Sequence, residues 1–82
     1  MGLDIVELVV AVEERFAIRI EDEVAQECTT PRRVLEEVMK KVDTTKWTRE
    51  EAWVALRGVI FEMTGVPEFS EDSRFVEDLK LD

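Results

Sequence analysis

Between Leu3 and Phe16 the apolar residues Ile5, Leu8, Val9, Val12 and Phe16 return at every third or fourth position, while Glu7, Glu13, Glu14 and Arg15 fall mostly on the other side. A helix gathers such residues on one face, whereas a strand would divide them between two. The same spacing returns at Val34, Leu35, Val38 and Val42, and again at Ala52, Leu56, Val59, Ile60 and Met63. Each stripe must be covered, and in a chain of 82 residues the stripes can cover only one another. The expected fold class is therefore all-α, one small helical bundle with a shared core.

Start and stop signals divide the chain further. Asp4 falls in the first turn of the first helix or at its cap, where a carboxylate suits the positive end of the helix dipole. Residues 17–20 read as a connector with Ile18 and Ile20 pointing one way, followed by a helix of one or two turns over residues 22–27. Thr30 is placed to cap and Pro31 takes the first helical position, so a helix is expected from about Pro31 to Val42. Residues 43–46 form a polar linker. Thr48 and Glu51 make a capping box, Trp47 before it can pack on Ala52, and Gly65 is a natural left-handed stop for a helix from Arg49 to about Thr64. Residues 66–82 are expected to form a long loop tied down by Val66, Phe69, Phe75, Val76 and Leu79, with one turn around 75–79 that Ser73 caps.

Charge is distributed unevenly. The net charge is −9; residues 1–30 carry eight acids against two arginines, residues 59–82 carry seven acids against two basic residues, and the middle carries seven basic residues against five acids. Such a surface repels phosphate backbones and anionic lipid, which argues against nucleic acid and membrane and for basic protein patches. The acids could equally serve solubility alone. A single cysteine, Cys28, allows no internal disulfide, and no apolar run reaches membrane length. A cytoplasmic location is the expectation.

Catalysis finds little footing. The chain has no histidine, which removes the commonest general base and metal ligand. Glu13-Glu14 and Asp22-Glu23 are expected on exposed surface, without the burial that raises a carboxyl pKa for acid catalysis. Residues 68–78 lack the glycine and the ligand alternation of a calcium loop. Cys28 reads as a small buried residue, and Trp47 and Trp53 as core or rim packing. The expectation is a protein that is not an enzyme and that holds no metal.

The two ends carry a further signal. The chain closes on Phe75-Val76-Glu77-Asp78-Leu79-Lys80-Leu81-Asp82 and opens on Gly2-Leu3-Asp4-Ile5-Val6-Glu7-Leu8-Val9. Read tail into head, this string resembles the segment of acyl carrier proteins that leads into their second helix, where a serine carries the phosphopantetheine arm. The resemblance extends over nearly the whole chain in rotated order. Residues 47–65 look like the family's first helix and 66–81 like its long loop. Residues 3–16 look like its second helix, 22–27 like its short third, and 29–42, with the preceding Thr-Thr, like its fourth. The resemblance thus implies a circularly permuted four-helix bundle of three main helices and one short one, in which residues 43–46 join the old termini.

The resemblance also locates what is missing. Aligned from the head, Gly2 occupies the position of the attachment serine; aligned from the tail, Asp82 takes the aspartate before it. Neither frame supplies the oxygen nucleophile a transferase needs, so no phosphopantetheine is expected. The acids that flank the family's second helix are matched by Asp4, Glu7, Glu13 and Glu14, while Arg15 departs from the usual third acid. These four acids are the expected partner-binding residues, toward basic patches on acyl-chain-handling enzymes of fatty-acid, lipid or polyketide metabolism. Two alternatives stay open: a working carrier modified at Ser70 or Ser73, and, in place of a monomer, a dimer in which one tail completes another head.

Overall fold

In the computed structural model residues 5–75 and 77–79 are described. Four helices follow one another, α1 (Ile5–Phe16), α2 (Asp22–Glu27), α3 (Pro31–Lys41) and α4 (Arg49–Thr64), with no strand among the described residues. The all-helical expectation holds. The suggested role of Asp4 at the first helix start, the packing of Val76 and the meeting of the two chain ends, Gly2 with Asp82, that the circular permutation implies lie outside the described residues.

Each helix ends for a local reason. At the end of α1, Ala17 adopts a left-handed backbone with φ 54°, and the Ile18 N–H donates to the Glu13 carbonyl at 3.1 Å, a Schellman-type stop. The Glu13 carboxylate then accepts the Ile20 N–H at 2.6 Å, which turns buried Ile20 toward the core. Glu13 thus anchors the connector with both its backbone and its side chain. It is half-buried, where the sequence led us to expect a fully exposed acid.

α3 starts as expected, with the Thr30 hydroxyl accepting the Arg33 N–H at 3.3 Å and Pro31 in the first turn. It stops at Lys41, one residue before the expected limit, and Val42 is extended at φ −79° and ψ 160°. The cause follows in the linker. The Asp43 carboxylate accepts the Thr45 N–H at 2.9 Å and the Thr45 hydroxyl at 2.6 Å, while the Asp43 carbonyl accepts the N–H groups of Lys46 and Trp47. That closed turn competes with a further helical turn. The hydrogen bonds from Thr45 hold the Asp43 carboxyl below its ordinary pKa.

α4 has both bonds of the capping box: the Glu51 N–H donates to the Thr48 hydroxyl at 3.1 Å and the Thr48 N–H to the Glu51 carboxylate at 3.2 Å. Gly65, at φ 73°, closes the helix by donating its N–H to the Phe61 carbonyl at 2.8 Å.

The core forms where α1 and α3 each pack on α4, with α2 against α1. Leu8, Val12, Val34, Val38, Ala52, Leu56 and Ile60 are fully enclosed, while Val59 and Met63 lie at the margin, only partly buried. The segment after α4 supplies buried Phe75 and Leu79. The Cα radius of gyration is 11.6 Å, against roughly 12 Å for a compact chain of this length.

The segment after α4 is clamped to the starts of two helices. The Arg32 N–H donates to the Glu71 carbonyl at 2.8 Å, and the Phe75 N–H to the Thr29 carbonyl at 3.1 Å. The Glu71 carboxylate lies 2.6 Å from the Arg49 guanidinium and 3.6 Å from that of Arg32. The expected cap by Ser73 rests in part on Val76, outside the described residues. The Ser73 hydroxyl accepts the Ser70 N–H at 3.0 Å, and the turn beyond is closed from its far end by Asp78, whose carboxylate accepts the Arg74 N–H at 2.8 Å.

Two measurements test this architecture. A left-handed backbone costs an L-residue about 1–2 kcal/mol, so Ala17→Gly should raise stability by about 1 kcal/mol in a denaturant titration. Arg49 holds the Glu71 carboxyl below its ordinary pKa, first through their hydrogen bond. A carboxyl depressed on folding adds stability above its unfolded pKa and loses it as pH falls through the lower folded value. The melting temperature should therefore drop as pH is lowered from about 4.5. Glu71→Gln should be less stable than the parent at neutral pH and show a shallower acid drop.

Candidate functional site

The acids assigned to partner recognition do not all share one setting. At about 100° per residue, Glu7 and Glu14 fall on the side of α1 that faces away from the core, roughly 10 Å apart along the axis. Both are exposed. Val10, 45% exposed, lies between them on this outer face, and Val6, 59% exposed, borders it on the side of Glu13. Glu13 stands on the flank and is engaged with the Ile20 N–H. Asp4 lies outside the described residues. The structure thus brings Glu7 and Glu14 to one face and turns Glu13 partly to a structural task.

At the C-terminal end of α1 the acidic surface continues. Glu13, Glu14 and Asp22, with Ile18, Arg19 and Ile20, line a shallow cleft of about 520 Å³. Carboxylates near a helix C-terminus face the negative end of its dipole and weaken the helix. Helix stability therefore does not account for Glu13 and Glu14. Glu13 has its backbone-anchoring role, and Glu14 is left as the acid that the fold itself does not explain.

Arg15 sits on the opposite flank for a reason the sequence did not disclose. Its guanidinium lies 5.4 Å from the Trp47 ring centre and 6.0 Å from that of Phe16, and the two rings meet edge-on at 4.9 Å. This cation-π cluster joins the end of α1 to the residues before α4. Trp47, expected to pack on Ala52, has Phe16 as its ring partner.

Cys28 is buried, its thiol donating to the Val24 carbonyl at 3.3 Å. Burial pushes its pKa up to about 11. Among the described residues no group of three or more histidine, cysteine or acidic side chains is placed to hold a metal ion. The Ser70 hydroxyl lies 3.3 Å from that of Ser73 and accepts the Asp72 N–H at 3.3 Å, within an exposed turn. No described helix is long and apolar enough to cross a membrane.

Sequence reasoning overlooked the exposed apolar residues. Val6, Val10, Val54 and Phe61 all fall off the buried stripes, and that displacement was the available signal. No family model, curated protein or solved structure matches the chain.

The setting of Cys28 makes a direct prediction. At pH 8 a pKa near 11 leaves a thiolate population about 100-fold smaller than that of an ordinary thiol. Alkylation of the native protein should be slower by at least about that factor than in denaturant, where the rates should match a free cysteine.

Proposed function

We propose that the chain is an acyl-carrier-like binding module that works without a phosphopantetheine arm and meets basic surfaces of partner proteins. The observation that carries this reading is the outer face of α1, where Glu7 and Glu14 lie beside exposed Val6 and Val10. Carboxylates spaced along one helix steer a cationic patch and fix its register, and Val10 between them, with Val6 beside Glu7, supplies apolar contact on arrival. The order of α1 to α4, with a short second helix and a long segment after the fourth, supports a circularly permuted carrier bundle. Gly2, at the position of the attachment serine, supports a module without the arm. The partner class is an enzyme that handles acyl chains in fatty-acid, lipid or polyketide metabolism. In this role the protein catalyses nothing itself.

Two measurements test the proposal. Incubation with a broad phosphopantetheinyl transferase and coenzyme A should leave the intact mass unchanged. A gain of one arm, lost when Ser70 and Ser73 become alanine, would overturn the arm-less reading in favour of a working carrier. Titration against a ketoacyl synthase with a basic docking patch should give an affinity that falls as salt rises. It should fall further, by about threefold to tenfold, in a Glu7→Gln, Glu14→Gln double variant. Binding indifferent to both salt and these acids would remove α1 as the recognition face.

A further inference from the structure

The outer face of α4 carries an apolar stripe that the core does not use. Val54 is 68% exposed and Phe61 50% exposed, and Gly58 lies between them on the same side. The two side chains are seven positions apart, placing them about 10 Å apart along one face. Glycine in mid-helix weakens a helix relative to alanine. Here no packing demands it, because a Cβ at Gly58 would meet nothing within 4 Å. What the glycine creates is a notch. Val54, Arg57, Gly58 and Phe61, with Pro67 and Phe69 from the following segment, line a groove of about 350 Å³. Phe69 is held edge-on against Trp53 with ring centres 6.1 Å apart, so that wall of the groove is braced from behind.

Charge narrows the choice of occupant. Glu50, Glu62 and Glu68 are exposed around the stripe, and Arg57 is the cation within it. A second copy of the chain fits poorly. An antiparallel pair of α4 helices, with a two-fold axis between positions 57 and 58, would seat Val54 on Phe61. The same axis would bring Arg57 beside its own copy and Glu51 of one chain beside Glu62 of the other. Between molecules of net charge −9 these like-charge pairings add to the general repulsion. A helix with an apolar face bordered by lysine or arginine meets the rim with opposite charge instead.

We propose that the α4 groove docks such a basic amphipathic helix of a partner protein, an aliphatic side chain of that helix entering the notch at Gly58. Arg57 meets a carbonyl or carboxylate near the end of the docked helix. The surface lies on a different helix from the acidic face of α1 and does not depend on it.

The test uses the full chain and a synthetic helical peptide of leucine and lysine, about 18 residues long to give five turns, followed by amide chemical shifts. The expected result is shifts centred on Val54, Gly58, Phe61 and Phe69. Affinity should drop about tenfold or more in Phe61→Ser and in Gly58→Gln, which fills the notch with a better helix former. Gly58→Ala should raise the melting temperature, and Glu7→Gln with Glu14→Gln should leave peptide binding to the groove in place. The proposal is overturned by the absence of binding, by shifts confined to α1 or scattered over all acidic surface, or by affinity unchanged in both groove variants. Equal binding of a leucine-glutamate peptide would also overturn it. A dimer seen by light scattering and abolished by Phe61→Ser would give the groove to a second copy instead.

Discussion

The structure depends on one apolar seam, Ala52, Leu56 and Ile60 along α4, which is fully enclosed. α1 and α3 both pack on α4, and Leu8, Val12, Val34 and Val38 join these residues in one core. Burying an aliphatic side chain of this size contributes roughly 1.5–3 kcal/mol, and several such residues meet on the same helix. A domain this small has few other sources of stability. The seam also fixes the outward faces: once α1 and α4 have turned these residues inward, Glu7 and Glu14 on one helix and Val54 and Phe61 on the other have only the outside left.

The segment after α4 solves an electrostatic problem at the end of the bundle. Arg32 and Arg49 stand in the first turns of α3 and α4, where the helix dipole disfavours a cation. α3 has no acid in its own first turn. Glu71 supplies the missing charge by lying against both arginines, while its backbone carbonyl accepts the Arg32 N–H. Buried Phe75 and Leu79 then close the core beneath. Much of what looks like irregular chain is therefore held at both its polar and its apolar positions.

Much of this was legible in the residues because the signals are local. The Thr48–Glu51 box, the cap by Thr30 before Pro31 and the stop at Gly65 each depend on atoms within a few residues, and each forms as read. Readings that required distant atoms fared less well. Arg15 looked like a departure from an acidic pattern, and only the approach of Trp47 explains it as a cation over two rings. Glu13 looked like a surface acid because nothing nearby in sequence shows that the chain turns back to offer it the Ile20 N–H. Of the candidate site, the acids were legible as types. Their division into an outer pair and an anchored flank was not.

The sequence by itself determined the helices, their caps and the stripes that must turn inward, since 3.6-residue periodicity and capping chemistry act over one or two turns. Tertiary structure alone decided which polar groups serve the fold and which are left to the surface. That choice depends on where separate segments cross: Glu71 between Arg32 and Arg49, Arg15 over Trp47, and Phe61 left outside a core already filled by Ile60. A side chain's neighbours along the chain set its direction, and only its neighbours across the bundle set its partner.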